Sequence, residues 1–278
     1  MTPSTTSAEK KPGYTVFGRK AKGGLSKWAE AALCALFWLL VWQAAAAAVG
    51  KEVLLPAPLA VFQRVASLAA TGEFWKTCAM SLVRIAAGFV LAALAGGVIA
   101  VFTAFVPFLR TLFSPALSVI RATPVASFIV LALVWLQSGS IPSFTSFLMV
   151  LPIVWLNTHA GFLSADGELL EMARSFRMPR RKVFAKIYLP SALPYFTAAC
   201  GTGAGMAWKA GIAAEVLGRT ALSMGKEIYD AKIYLETVDL FAWTAVLIVI
   251  SVVFEKLMLL WLRRMNRRFA YGGAKDAV

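Results

Sequence analysis

The residues of this chain that could do chemistry are isolated charges inside long apolar segments. Trp208, Lys209 and Glu215 lie together in one such segment. A charge inside a bilayer is costly unless it faces a partner or a watery cavity, so Lys209 could attract an anionic solute such as a sulfonate or a carboxylate. We therefore predict that Trp208, Lys209 and Glu215 are candidates for lining a solute pathway.

A structural role for Lys209 is the alternative, in which its ammonium pairs with an acid such as Glu215 or Glu255, or extends to the membrane surface. Lys209 and Glu215 are six residues apart. This separation does not place them on one helix face, so a direct pair within one helix is not expected. Arg84 and Arg121 lie near opposite ends of their apolar segments and are expected to anchor helices rather than to contact a solute.

The chain offers no set of residues for catalysis or metal binding. His159 is its only histidine, and we expect it to make a structural polar contact. The three cysteines show no metal-ligand spacing and are expected to be small buried hydrophobes: Cys34, Cys78 and Cys200. An intramembrane enzyme needs a nucleophile with a base, a metal cluster or paired acids, so neither enzyme activity nor a metal is predicted.

The sequence also contains no Gly-x4-Gly-Lys-Ser/Thr phosphate-binding loop. Residues 201–205, Gly-Thr-Gly-Ala-Gly, resemble a nucleotide loop superficially, but they lie within an apolar segment. Close packing of helices explains small residues there better than nucleotide binding does. We therefore predict no cofactor for this chain, and any energy from ATP must come from a partner.

The composition indicates an integral membrane protein. The 278 residues are 59% hydrophobic and 15% charged, and the mean hydropathy is +0.72, whereas soluble domains are about half apolar and about a quarter charged. The net charge of +14 does not indicate nucleic-acid binding, because the cations gather beside apolar segments, as membrane topology requires. The first apolar run is too long for a signal peptide and lacks a clear cleavage site, so it is interpreted as a retained span.

Six segments are candidates for spanning a bilayer, which takes about 20 largely apolar residues. They are Trp28–Val49, Cys78–Val106, Phe113–Gln137, Ile141–Leu163, Leu193–Leu217 and Leu240–Leu262. They predict one six-helix membrane domain over residues 28–262, with a flexible basic segment at 1–27 and a basic tail at 263–278. The amphipathic stretch Pro56–Thr71 is too short to span and is expected along the outer surface.

Lysine and arginine are distributed unevenly between the two sides that these spans define. With both termini on one side, 18 of the 28 cations fall on that side, 6 on the other and 4 within spans. Positive charge is retained in the cytoplasm, so both termini are predicted to be cytoplasmic. The loop between the fourth and fifth spans lies on the same side.

This loop, residues 166–190, is called the basic loop here. Its apolar residues follow the i, i+3, i+4, i+7 spacing of an amphipathic helix: Leu169, Met172, Ala173 and Phe176. Pro179 is predicted to open a second short helix and Pro190 to close it. Six cations cover the rest, namely Arg174, Arg177, Arg180, Arg181, Lys182 and Lys186. Such a surface could dock a partner or lie on anionic lipid.

The basic loop resembles the cytoplasmic loop of ABC importer permeases, whose pattern runs Glu-Ala-Ala, three residues, Gly, then a basic segment ending in Leu-Pro. Here it reads Glu171-Met172-Ala173 and ends in Leu189-Pro190, with Arg177 in place of the glycine. That glycine would supply a left-handed turn, so Arg177 must either adopt this backbone or change the turn. Further stretches are similar to permeases of the nitrate/sulfonate/taurine type, in the same order along the chain: 54–58, 81–84, 88–89, 121–124, 157–161 and 213–218.

The resemblance implies an all-α type I ABC importer permease with six transmembrane helices, multi-pass in the inner or plasma membrane. It implies a homodimer, two copies of a cytoplasmic ATPase and an extracytoplasmic substrate-binding protein as partners. The ATPase would dock on Leu169, Glu171, Met172, Ala173, Phe176 and Arg177, so charge reversal or a bulky residue at Ala173 is predicted to abolish copurification. The expected solute is a small anion or organosulfur compound; the alternatives are another small molecule such as a vitamin precursor, or an ion-coupled secondary transporter.

Overall fold

The computed structural model describes residues 27–275, and every element in that range is helical. The first half contains α1 (Lys27–Val49), α2 (Pro58–Ala69), α3 (Gly72–Phe105), α4 (Pro107–Ala122), α5 (Val125–Trp135) and α6 (Ile141–Leu163). The second half contains α7 (Gly167–Ser175), α8 (Arg180–Val183), a π-helical segment (Phe184–Tyr188), α9 (Leu189–Gly218), α10 (Met224–Ile233) and α11 (Thr237–Lys275). The predicted flexible segment at the N-terminus lies outside the described residues, apart from Lys27.

Helices α3, α6 and α9 form the centre of the bundle, and glycines allow them to approach closely. A Cβ added to Gly88 would lie 2.2 Å from the carbonyl oxygen of Ser143, and one added to Gly211 would lie 2.5 Å from the Ile85 side chain. The Ser146 hydroxyl donates to the Ala207 carbonyl across α6 and α9, at 3.0 Å. This is the small-residue packing that membrane helices use when apolar burial alone does not bring them together.

The predicted third span is not one straight helix. It is divided between α4 and α5, whose axes differ by 105°. Thr123 between them is extended, with φ −81° and ψ 129°, because a residue that precedes proline is pushed out of the helical region. Pro124 then caps α5, so this proline breaks the span that the hydropathy pattern suggested was continuous.

Within residues 27–275, four helices are long and apolar enough to cross a membrane: Ala29–Val49, Gly72–Phe105, Ile141–Leu163 and Thr237–Leu260. The bent pair of α4 and α5 makes a fifth if it counts as one span. Helix α9 is long enough at 30 residues, but it is not in this group because its glycines, threonines and prolines lower its mean hydropathy. It packs against α3, α6 and α11. Six spans and cytoplasmic termini stay predictions.

The remaining helices surround this centre. The amphipathic helix α2 follows Pro56, as predicted, and Arg64 on it donates two hydrogen bonds to Asp239 at the start of α11, at 2.5 and 2.7 Å. Trp42 of α1 donates to the Pro56 carbonyl at 3.1 Å. The end of the bundle where α3 and α6 end and α9 begins carries the basic loop and is called the loop end.

Candidate coupling surface and membrane charges

The first half of the basic loop is an amphipathic helix, as predicted. Asp166 caps α7, and its carboxylate accepts a hydrogen bond from the Glu168 amide at 2.9 Å. The helix carries Glu168 in its first turn and Arg174 in its last turn, which is the arrangement that the helix dipole favours. Local sequence therefore accounts for both ends of α7.

Arg177 adopts the left-handed backbone that the family glycine would supply, with φ +47°. The Met178 amide donates to the Ala173 carbonyl at 2.9 Å, and the Arg177 amide donates to the Arg174 carbonyl at 3.0 Å. These two bonds form a Schellman motif, which closes a helix and reverses the chain. The basic loop thus keeps the turn of the family pattern and places a less favourable residue in it.

Replacing Arg177 by glycine is expected to stabilise the protein by about 1 kcal/mol, because glycine reaches positive φ without a Cβ clash. Thermal unfolding of the detergent-solubilised protein, followed by labelling of the buried Cys78 and Cys200 thiols, measures the effect. Lys182→Gly is the matched control, since glycine inside a helical stretch should destabilise by a similar amount. A lower melting temperature for Arg177→Gly than for the wild type would contradict the inference that the backbone of Arg177 is strained.

The predicted apolar face of α7 is divided between two environments. Leu169, Met172 and Phe176 are exposed, and Phe176 is 76% exposed; these three residues are called the apolar ridge. Ala173 is only 2% exposed and packs toward the bundle. The six cations of the basic loop and Glu171 are also exposed, so a partner would meet apolar and charged side chains on the same loop.

The second half of the basic loop differs from the prediction in one respect. Pro179 does open α8, but Pro190 does not close a short helix, because the chain continues through the π-helical segment directly into α9. A proline lacks the amide hydrogen that an α-helix needs, and the wider π turn just before it accommodates this loss. From Arg180 onward, the second half of the basic loop and the central helix α9 therefore form one continuous helical stretch.

Four aromatic rings join the basic loop to the helices at the loop end. Phe105 at the end of α3 meets Tyr188 edge-on, with ring centroids 4.9 Å apart. The rings of Phe162 and Phe184 each lie 6.0 Å from that of Phe105, and they stack on each other at 6.0 Å. This aromatic cluster (Phe105, Phe162, Phe184 and Tyr188) links the ends of α3 and α6 to the π-helical segment.

A buried polar network lies one turn deeper in the bundle. The Thr103 hydroxyl donates to the Ile99 carbonyl at 2.8 Å and accepts from the Trp155 indole N–H at 2.9 Å. His159 Nδ1 lies 3.1 Å from the same hydroxyl. The structural polar contact predicted for His159 is confirmed, and it ties α3 to α6.

Glu215 lies at the opposite end of the bundle and is fully buried. Its Oε2 accepts hydrogen bonds from the Ser81 hydroxyl at 2.8 Å and from the Gly225 amide at 3.2 Å. The Ser81 oxygen in turn accepts from the Met224 amide at 3.0 Å. These bonds hold the start of α10 against α3 and α9, and Glu215 makes no pair with Lys209, as predicted.

Glu215→Ala is expected to destabilise the protein by about 3 kcal/mol, because it leaves the Ser81 hydroxyl and the Gly225 amide buried without an acceptor. Glu215→Gln keeps an oxygen acceptor in place and should cost about 1 kcal/mol. The midpoint of unfolding in mixed SDS and dodecyl maltoside micelles compares the two variants. Equal losses would show that the hydrogen bonds to Oε2 do not hold this end of the bundle.

The other charges predicted from the sequence have different surroundings. Arg84 donates from its two terminal nitrogens to the Leu222 and Ala221 carbonyls, each at 3.1 Å, so its anchoring role is confirmed. Arg121 makes no hydrogen bond or ion pair with any residue that the structure describes.

Lys209 is exposed, whereas Trp208 is buried against Phe254 with ring centroids 5.7 Å apart. The three pathway candidates therefore do not converge on one surface of a single protomer.

Residues 81–271 match the family model described as the binding-protein-dependent transport system inner membrane component. The chain belongs to this family. The resemblance seen in the basic loop is therefore confirmed, and the protein is an inner-membrane permease. The match begins at Ser81 and includes the basic loop, the central helices α6 and α9, and the loop that Glu215 holds.

Two relatives and one solved structure agree with this assignment. A protein described as the aliphatic sulfonates transport permease SsuC of Bacillus subtilis is 26% identical over 92% of each chain. The bicarbonate transport permease CmpB of Synechococcus elongatus is 29% identical over 70% of this chain and 74% of its own. A chain from the crystal structure of an amino acid ABC transporter with histidines superposes with a TM-score of 0.59 at 20% identity, over 72% of this permease and 97% of that chain. The fold is that of a type I ABC importer permease.

Sequence reasoning missed the two sets of contacts that join distant parts of the permease. Ser81 gives the signal for the first set, since a serine three residues before Arg84 in an apolar span is a polar group that needs a partner. The aromatic cluster had a weaker signal, since Phe105, Phe162, Phe184 and Tyr188 carry no common spacing in the sequence. Only the fold brings these four rings together.

Proposed function

We propose that this permease is the membrane subunit of an ATP-driven importer and that its basic loop docks a cytoplasmic ATPase. The observation that carries this proposal is the apolar ridge, which is exposed at the loop end on the same loop as six exposed cations. An exposed apolar strip of this kind is typical of a binding surface rather than of a free one. The chain itself binds no ATP and catalyses no reaction in this proposal, so hydrolysis takes place in the partner.

The proposed assembly contains two copies of the permease, two ATPases and an extracytoplasmic binding protein. The family description names binding-protein-dependent transport, which supports the last partner. Closure of the two ATPases on ATP would move the basic loops, and because α8, the π-helical segment and α9 are continuous, this motion would reach the centre of the bundle. Energy would then pass between two distinct sites through a change of conformation.

The proposed solute is a small anion, either a sulfonate or a carboxylate-like species. Relatives named for aliphatic sulfonates and for bicarbonate transport support this class. Two cations of the membrane-spanning region also support it, since Lys209 and Arg121 are exposed and have no acidic partner among the described residues. A cation at membrane depth is retained where it serves a pathway.

Uptake into proteoliposomes tests this function. The permease is reconstituted with its cognate ATPase and binding protein, and uptake of labelled taurine, methanesulfonate, bicarbonate and a vitamin precursor is measured with and without ATP. ATP-dependent uptake of an anion is expected, and an ATPase that cannot hydrolyse ATP is the control. Uptake driven by an ion gradient without the ATPase would indicate a secondary transporter instead, and uptake of the vitamin precursor alone would overturn the anion assignment.

A further inference from the structure

A cavity of about 500 Å³ opens at the break between α4 and α5. Arg121 in the last turn of α4 and the Thr123-Pro124 break form one wall. The facing wall comes from α6 and α9, including Met149, Ile153, Asn157 and Met206. The volume falls within the range of about 300 to 1,000 Å³ that is common for small-molecule sites.

This cavity lies in the middle of the bundle rather than at a membrane surface. The residues of α6 that line it run from Leu148 to Asn157, whereas the helix extends from Ile141 to Leu163. Met206 is likewise near the middle of α9, which extends from Leu189 to Gly218. Arg121 was predicted near the end of a span, but the break between α4 and α5 places it level with the middle of α6 and α9.

Two polar side chains of the cavity, Arg121 and Asn157, offer hydrogen-bond donors. Arg121 is exposed there and makes no hydrogen bond or ion pair with the part of the chain that the structure describes, in contrast to Arg84, whose guanidinium is bound by two carbonyls. Asn157 uses one hydrogen of Nδ2 to bond the Ile153 carbonyl at 2.7 Å, so the second is available to a ligand. None of the described lining residues is acidic. Lys209 lies one turn beyond Met206 on the same side of α9 and adds a second cation nearby.

We propose that Arg121 and Asn157 form an anion-recognition site that holds the sulfonate or carboxylate group of the solute at mid-membrane. The guanidinium fork matches the oxygens of such a group in a bidentate manner, and Met149, Ile153 and Met206 contact the apolar part of an organic anion. This inference rests on the proposed function, because it assigns the solute a position along the same pathway. It goes beyond Lys209, which the sequence singled out, and names Arg121 as the primary cation.

The charge preference of the cavity can be measured without knowing the solute. Cys34, Cys78 and Cys200 are replaced by alanine, and Met206→Cys is introduced as a reporter that leaves Arg121 and Asn157 in place. The full complex in membranes is then labelled with two methanethiosulfonates, one bearing a sulfonate and the other a trimethylammonium group. Arg121→Gln is expected to lower the ratio of the sulfonate rate to the ammonium rate about tenfold, since one nearby positive charge affects the two reagents in opposite directions.

Two further variants complete the comparison. Arg121→Lys should retain most of the ratio, because it keeps the charge. Arg110→Gln is the matched control: Arg110 lies 11 residues earlier on the same helix, is also exposed, and does not line the cavity. A ratio that Arg121→Gln leaves unchanged, or that Arg110→Gln lowers equally, overturns the inference. So does an Arg121→Gln permease that fails to copurify with a second, differently tagged copy, because Arg121 would then be a contact between subunits.

Uptake separates this inference from the proposed function. In proteoliposomes, Arg121→Gln is expected to lower ATP-dependent uptake of methanesulfonate at least tenfold while ATPase copurification stays unchanged. ATP-dependent anion uptake combined with an unaltered labelling ratio would overturn the Arg121 site and leave the importer assignment standing. A wild-type complex that takes up no anion, but whose labelling ratio depends on Arg121, would overturn the assignment of an anionic solute and would leave Arg121 only as a positive charge in the cavity.

Discussion

Replacing Phe176 by alanine is expected to weaken binding of the ATPase by about thirtyfold or more, which corresponds to about 2 kcal/mol for a central aromatic residue of an interface. Phe176 is 76% exposed and lies at the end of the apolar ridge, next to Arg177. A large apolar side chain that is free in the permease and buried in a complex contributes through the area that it removes from water. Titration of the ATPase onto the permease in lipid nanodiscs measures the dissociation constant.

Phe108 is the matched control for Phe176. It is 71% exposed and lies at the loop end in the first turn of α4, outside α7. Phe108→Ala should change the dissociation constant less than twofold, and Phe176→Ala should leave the unfolding midpoint of the isolated permease unchanged, since its ring has few contacts to lose. If Phe176→Ala and Phe108→Ala weakened ATPase binding equally, the apolar ridge would not be part of the interface with the ATPase.

Ala173 is expected to act by a different route from Phe176, although a charge or a bulky residue there was also predicted to abolish copurification. Ala173 is buried against the bundle, so Ala173→Glu would place a charge in an apolar contact and displace α7. Ala173→Glu should therefore abolish copurification with the ATPase and also lower the unfolding midpoint of the permease. Phe176→Ala should weaken copurification without that change, and this difference separates direct contact from support of the basic loop.

Much of the fold follows from patterns that are local in the sequence. Apolar runs predict α1, α6 and the membrane-spanning part of α11, and the spacing of Leu169, Met172 and Phe176 predicts α7. Pro124 lies inside the third predicted span, Phe113–Gln137, because the apolar residues continue on both sides of it. The bend of 105° follows from the missing amide and the restricted residue before it, and a local reading of Thr123-Pro124 would have found it.

The candidate site was predicted only in part, because its decisive contacts join residues that are far apart in sequence. Ser81 and Glu215 are 134 residues apart and bond at 2.8 Å. Composition identifies both as polar groups in apolar segments but does not say which partner each one finds. The left-handed turn at Arg177, by contrast, is predictable from the sequence, since a family pattern with glycine at that position limits the backbone that can follow α7.

Phe105→Ala is expected to separate ATP hydrolysis from transport. Phe105 is the member of the aromatic cluster that belongs to α3, and its ring contacts Tyr188 on the helical stretch that continues into α9. Motion of the basic loop reaches α9 through the backbone, but it reaches α3 only through side chains such as these. Without the ring, we expect ATP-dependent uptake to fall about tenfold, which corresponds to about 1.4 kcal/mol of lost coupling free energy, while the ATPase still binds and hydrolyses ATP.

Phe102 offers a close control for Phe105, because it lies one turn earlier on α3, is exposed and makes none of the ring contacts of the aromatic cluster. Uptake and ATP hydrolysis are measured side by side in proteoliposomes for Phe105→Ala and Phe102→Ala. Phe102→Ala should keep the wild-type ratio of solute transported to ATP hydrolysed, whereas Phe105→Ala should lower it. If both rates fell together in Phe105→Ala, the ring would serve assembly of the complex, and the path from the basic loop to α3 would have to run through the polar network around Thr103.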